Sequence, residues 1–389
     1  MTELAVLGGA ARFPEGIPFV RPAAPTLARV TEIISESWAR GALTNGPLVA
    51  ELERRAAEYL QVPHVVAVSS CTTGLMLALR ALDVTGPVVM PSFTFSASAH
   101  AVAWNGATPR FAECDASSFQ VALDDASKRL DGAGAVLATH VFGAPCSPKE
   151  IEDVARVRGI PLVFDAAHAF GALHAGVPVG GFGDAEVFSL TPTKPLVAGE
   201  GGLVATTRDD VAYKLRIGRD YANPGNYDTQ FVGLNGRMSE MHAATALASL
   251  EGFDANQSRR FEIVERYRAG LAGIPGVRVQ TVAAADRSTW KDFTIAIEPT
   301  TFGADRDALR RVLDAEGVDT RTYFDPPVHR QSAYRNVVTD PLPVTDEVSR
   351  RVVSLPVYPA LRDDVVDAIV ALIVTAHDKS GDLARVTAQ

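Results

Sequence analysis

The sequence predicts an α/β protein: a mostly parallel central sheet with helices on both faces, plus a smaller C-terminal α+β domain. Three observations predict it. Short apolar runs alternate with helix-period segments from about residue 48 onward. Those runs are apolar at successive positions, as strands buried on both faces are. Near residues 252–257 the alternation stops, and one long helical segment gives way to shorter mixed elements.

Leu48, Leu52, Ala56 and Leu60 recur every four residues and mark one face of a helix. Val65-Val66-Ala67-Val68 reads as the first strand, and Thr72 to Leu82 as a helix with Leu75, Leu79 and Leu82 on one stripe. Pro87 to Met90 gives the next strand and Ser96 to Ala103 the next helix. Ala135 to Ala138 and Pro161 to Phe164 are further buried strands. The helix between them starts near Ser147-Pro148, with proline at a favoured first position. Such a sheet is built with right-handed crossovers and takes ligands outside the carboxyl ends of its strands. Polar residues just past a strand therefore carry the functional weight.

Beyond the break, Phe261, Val264, Tyr267 and Leu271 mark a long helix. Val277 to Val279 and Phe293 to Ile297 read as strands, and 304–316 and 363–376 as helices. The expected division is residues 1–254, an N-terminal segment with the large domain, and residues 255–389, the small domain. A chain of 389 residues accommodates both.

Hydrophobic residues at 47% and charged residues at 21% are globular proportions. A net charge of −9 with the signs interspersed argues against a nucleic-acid partner, which needs a basic face, and serves solubility. Cys71, Cys114 and Cys146 are odd in number, and their spacing fits neither a zinc site nor a disulfide framework, so no metal is expected. A reducing compartment, the cytoplasm, is the simplest reading. The first ten residues lack the basic start and apolar run of a signal peptide. The stretch from Val365 to Ala376 contains Asp367 and is too short to span a bilayer, so no membrane partner is expected.

Four segments carry the chemistry. Ser69-Ser70-Cys71-Thr72-Thr73-Gly74 lies between a strand and a helix, where backbone N–H groups, hydroxyls and the helix dipole form a phosphate seat. Taken alone, it is equally an N-cap. In Phe164-Asp165-Ala166-Ala167-His168-Ala169, the aspartate follows an apolar run directly. A carboxylate at that strand end can hold a pyridinium nitrogen protonated, or can simply cap a turn. His168 alone reads as a core histidine or a pocket residue. Phe188-Ser189-Leu190-Thr191-Pro192-Thr193-Lys194 runs on into Gly199-Glu200-Gly201-Gly202. A lysine between a strand and a glycine-rich turn is poorly placed as a solvated charge. Burial lowers its pKa and frees the amine for Schiff-base formation with an aldehyde. Ser189 is placed to help bind the phosphate. Gly233-Leu234-Asn235-Gly236-Arg237-Met238, before a helix carrying His242, gains meaning only beside the other three.

These four segments, in this order, resemble the DegT/DnrJ/EryC1/StrS family of pyridoxal-phosphate (PLP) dependent sugar aminotransferases, on the aspartate-aminotransferase-like fold (fold type I). The likeness runs from Gly41-Ala42-Leu43-Thr44-Asn45-Gly46-Pro47 to Ser354-Leu355-Pro356-Val357-Tyr358-Pro359. It implies that Lys194 is the lysine joined to PLP and Asp165 the partner of its ring nitrogen. It implies that Phe95 stacks on the ring, that Cys71, Thr72, Thr73 and Ser189 surround the phosphate, and that Asn235 reaches the phosphate of a neighbouring subunit. A homodimer with shared sites follows. His329 and Tyr334 match a segment near the sugar-nucleotide pocket. Three positions depart from the pattern: Cys71 stands for a usual glycine, Gly236 for a common tyrosine, and His168 for the glutamine at the ring's 3-hydroxyl. Some members that aminate C4 have histidine at that last position.

The resemblance implies transfer of an amino group from an amino acid, L-glutamate, to C4 of a nucleotide-linked keto-6-deoxyhexose of the dTDP-4-keto-6-deoxyglucose type, with the cofactor passing through its pyridoxamine form. Both substrates are anionic, and Arg219 and Arg237 are the candidate cations, each equally readable as a surface ion-pair residue. A C3 sugar aminotransferase or a keto-inositol (cyclitol) aminotransferase shares the same residues. A related sugar dehydratase has histidine in place of the lysine, so Lys194 argues against it. A regulatory PLP-binding protein on this scaffold should have lost Lys194 or Asp165. A nicotinamide dehydrogenase needs a glycine fingerprint that the first strand lacks.

Overall fold

A computed structural model describes residues 3–386; the first two and last three residues of the expected domain spans lie outside the described residues. Helices α1 (Leu27–Ala39) and α2 (Pro47–Leu60) precede β1 (His64–Val68). Then α3 (Cys71–Ala81), β2 (Pro87–Pro91), α4 (Ser96–Trp104), β3 (Thr108–Ala112), α5 (Leu123–Lys128), β4 (Ala135–Thr139), α6 (Pro148–Arg158) and β5 (Leu162–Asp165) alternate. A small hairpin, β6 (Leu173–His174) and β7 (Val177–Pro178), separates β5 from β8 (Ala185–Ser189) and β9 (Gly202–Thr206).

Seven strands form one sheet in the order β1-β9-β8-β5-β4-β2-β3. Its pairs from β3 to β8 are parallel, and β9 runs antiparallel to both its neighbours. Both faces are buried because alternate residues of each strand enter different cores. Val66, Val68, Val187 and Val204 pack with α3, whereas Val65, Ala67, Phe188 and Leu203 pack with α2. This is why the strands read as unbroken apolar runs.

After α7 (Asp209–Gly218) and α8 (Glu240–Glu251), helix α9 (Phe253–Leu271) leads to a three-stranded antiparallel sheet of β10 (Val277–Val279), β11 (Phe293–Ile297) and β12 (Val352–Leu355). Helices over 306–315 and 363–378 cover it around a core that includes Tyr267, Phe293, Leu313 and Ile369. Leu4 joins that core from the opposite end of the chain. Among the described residues no helix is long and apolar enough to cross a membrane. All three cysteines are buried free thiols.

A buried carboxylate fastens the helices in front of the sheet. Glu240, the first residue of α8, accepts N–H groups from Gly46 (3.0 Å), Leu48 (2.9 Å) and Val49 (3.0 Å) at the start of α2, and the Ser37 hydroxyl (2.9 Å) from α1. It supplies from a distant part of the chain the cap that Pro47 and Gly46 cannot, and its charge suits a helix N-terminus. Glu240→Ala strands four donors, and we expect a loss of about 3 kcal/mol, read as a lower urea midpoint; an unchanged midpoint would show that water replaces the carboxylate freely.

Candidate active site

A cavity of about 340 Å³ lies beside the carboxyl ends of β1, β5 and β8. Three chain segments leaving those strands supply most of its polar wall.

The first is the start of α3. Ser70 caps the helix, its hydroxyl accepting the Thr73 N–H at 3.0 Å. Cys71 and Thr72, the first helical residues, line the cavity, so it faces the positive end of the helix. Behind this turn runs Gly202, the first residue of β9. A Cβ there would sit 2.7 Å from the Cys71 nitrogen, so only glycine lets strand and helix approach this closely. Thr73 does not line the cavity, which corrects its expected part in phosphate binding. Its hydroxyl lies 2.9 Å from that of Ser70 and 3.2 Å from that of Ser69, and it completes the cap. The neighbouring hydroxyls look alike in sequence, but each step along a helix turns the side chain by about 100°.

The second is the end of β5. Asp165 is buried, and its carboxylate accepts the Ser98 hydroxyl at 2.5 Å and the Ala167 N–H at 3.0 Å. Burial pushes this carboxyl up; the two hydrogen bonds and the Lys194 charge pull it back. His168 stands three residues on in the same wall. Burial, and then the charges of Lys194 and Lys291, drive its imidazole well below the usual histidine range, so the ring is neutral at neutral pH.

The third follows β8. Ser189 ends the strand and Lys194 sits in the loop beyond, its N–H on the Thr191 carbonyl at 3.0 Å; both side chains line the cavity. Burial is the largest cause lowering the Lys194 amine to about 8, and the Lys291 charge adds to it against Asp292, Cys71 and Asp165. Phe95, just before α4, lines the same cavity with 57% of its surface exposed, an apolar face available to a flat ring.

Sequence reasoning missed Lys291, Tyr323 and Phe324, which complete the lining from the C-terminal part of the chain. A Lys-Asp pair ahead of an apolar run carries no signal of burial. Tertiary packing alone brings it here.

Four expected residues stand elsewhere, and Asn235, expected at a neighbouring subunit's phosphate, lies outside its own cavity. Arg219 is buried in an ion pair with Glu53 and donates to the Ala67 carbonyl at 2.6 Å. Arg237 pairs with Asp220 and lies over the Tyr221 ring. Neither lines the cavity, which corrects their reading as its cations: each makes its ion pair outside it. Asn235 is exposed and bridges to Asp220. The Gly236 carbonyl takes the Ser69 N–H at 2.8 Å, so this segment is fastened to the turn that precedes α3. A Cβ on Gly236 would lie 2.8 Å from the Thr73 methyl, which accounts for the small residue at that position. His329 is buried against Ser92 (2.6 Å) and Asp346 (3.2 Å), and the Tyr334 hydroxyl meets His100. Neither lines the cavity.

The arrangement fits PLP on three counts: a helix N-terminus for the phosphate, a buried strand-end carboxylate for the ring nitrogen, and an amine of lowered pKa for the aldehyde. Protonation blocks the amine as a nucleophile. The rate at which the cofactor-free protein captures PLP should therefore rise with pH to half its maximum near 8. A midpoint near the ordinary lysine value of 10.5 would show that burial does not tune Lys194.

Comparison with known proteins agrees with this geometry. The family model described as the DegT/DnrJ/EryC1/StrS aminotransferase family matches residues 26–374. The chain is 31% identical to an Escherichia coli dTDP-4-amino-4,6-dideoxy-D-glucose transaminase, over 92% of this chain and 98% of that one. It is 34% identical to a Streptomyces venezuelae dTDP-3-amino-3,4,6-trideoxy-alpha-D-glucose transaminase, over 83% and 86%. A crystal structure of DesI with its TDP-sugar product superposes with a TM-score of 0.94 at 36% identity, covering 99% of both chains. The chain belongs to the DegT/DnrJ/EryC1/StrS aminotransferase family and is a PLP-dependent aminotransferase.

Proposed function

We propose that this enzyme moves the amino group of L-glutamate to C4 of a dTDP-linked 4-keto-6-deoxyhexose. The observation that carries the choice of C4 is His168, in the cavity wall three residues past Asp165, where the family resemblance associates histidine with C4 amination. The likeness to the E. coli dTDP-4-amino-4,6-dideoxy-D-glucose transaminase over nearly its whole length supports it. The Streptomyces C3 transaminase, at 34% identity, is the observation that favours a second reading, C3 amination.

When bound, PLP supplies an aldehyde that takes up the amino group and a protonated ring that withdraws electrons from the carbon being deprotonated. The residues of the chain do the rest. The start of α3, with Thr72 and Ser189, holds the phosphate, and Phe95 covers the ring. Asp165 keeps a proton on the ring nitrogen by opposite charge, and that partner in turn keeps the carboxylate ionised despite its burial. The Lys194 Nζ takes the proton from the donor's α-carbon. In the second half of the cycle it delivers a proton to the sugar carbon that becomes aminated. An amine near 8 both accepts and releases a proton close to neutral pH. His168, neutral, offers one ring N–H as a donor without bringing a second positive charge.

The enzyme works as a homodimer in this reading. Asn235 is exposed and outside its own cavity, and its chain neighbours Tyr221, Tyr227, Val232 and Met241 are each more than half exposed, Tyr227 at 95%. Such exposure is what an interface would cover.

The substrate is tested on enzyme first converted to its aminated form with L-glutamate. Mixed with nucleotide-linked 4-keto and 3-keto 6-deoxyhexoses and a keto-inositol, it should regain its visible band (about 420 nm) with the 4-keto sugar at least ten times faster than with the others. Faster return with the 3-keto sugar or the keto-inositol would overturn the C4 assignment.

A further inference from the structure

An aminotransferase cavity must receive a negative charge next to the reacting carbon, because an amino donor carries its carboxylate on that carbon. With Arg219 held by Glu53 and Arg237 by Asp220, the lining that the described residues of one chain supply contains two lysines and no arginine. Lys194 is committed to the reaction. We propose that Lys291 is the residue that docks the α-carboxylate of the amino donor. The proposal rests on the aminotransferase reading above and deepens it.

Lys291 is only 5% exposed yet lines the cavity. Its Nζ lies 2.7 Å from Asp292 Oδ1, and 5.9 Å and 5.7 Å from the ring centroids of Phe19 and Tyr323. A lysine ammonium has three N–H donors, and among the described residues Asp292 is its one hydrogen-bond acceptor. A buried lysine with unused donors is costly unless something else satisfies them. A carboxylate entering the cavity does so.

The segment is also fixed in place. The Lys291 N–H reaches the Phe142 carbonyl at 3.1 Å, the Thr289 N–H reaches the Gly143 carbonyl at 3.1 Å, and the Thr289 hydroxyl reaches the His168 carbonyl at 2.6 Å. The ammonium is thus registered against the wall that carries Asp165 and His168. Its charge acts on both Lys194 and His168, and that of its partner Asp292 offsets part of the effect at Lys194. That position suits a carboxylate on the reacting carbon. The phosphates of a nucleotide-linked sugar hang from the anomeric carbon, on the far side of the ring from C4.

The test uses PLP-loaded enzyme and glutarate, a dicarboxylate with no amino or keto group to react, followed by calorimetric titration. Thymidine diphosphate is titrated in parallel. Lys291→Met and Lys291→Gln are both made, with cofactor content and melting temperature confirming the fold. In each folded variant, glutarate affinity should fall about ten-fold or more, the effect of losing one charged hydrogen bond. Thymidine diphosphate affinity should stay within about two-fold. Glutarate affinity unchanged in either folded variant, no glutarate binding by the wild type, or an equal loss for both ligands would overturn the proposal. Wild-type enzyme whose visible band is untouched by every amino acid would instead refute the parent aminotransferase reading.

Discussion

A lysine amine has to release its proton near pH 8, not 10.5, inside a cavity that also holds a carboxylate, and the arrangement of the cavity follows from that requirement. Water would keep the Lys194 amine charged. Burial removes the water, and a second buried cation, Lys291, raises the cost of a charge further. Unopposed, the same burial would neutralise Asp165. Ser98, the Ala167 N–H and the Lys194 charge oppose it. The parallel pairing of β5 with β8 brings the two groups together, since Asp165 ends the first strand and Ser189 ends its neighbour on the same side. A rigid sheet buried on both faces holds them at fixed separation, as a catalytic pair needs.

The cavity is also where two cores meet. The sheet cores around Val66 and Phe188 position the strand ends, while the C-terminal core around Tyr267 and Phe293 positions the segment with Thr289 and Lys291. The hydrogen bonds from Thr289 to Gly143 and His168 cross between them.

Much of this was legible in the sequence because each signal was local. Val65 to Val68, Phe164-Asp165 and Ser189 to Lys194 are short runs in which an apolar strand and the polar residue after it are contiguous. The strand β3 was not legible. Its Thr-Pro-Arg-Phe-Ala contains a proline and an arginine, which an edge strand tolerates, and β3 is the last strand of the sheet. Arg110 there donates to the carbonyls of Arg129 and Asp131. Lys291 was hidden for another reason: its surroundings are Phe19, Tyr323 and Phe142, all distant in the chain. Arg219 and Arg237 misled because a sequence shows a cation without showing Glu53 or Asp220 folded against it. Thr73 misled because a cap and a phosphate seat use the same residue types.

The most direct test is to load the protein with PLP, reduce it with borohydride, digest it, and find by mass spectrometry which lysine carries the cofactor. Two lysines line the cavity, so the result discriminates between them. The account predicts the label on the peptide containing Lys194 and an unmodified Lys291. Label on Lys291, or on neither, would contradict it.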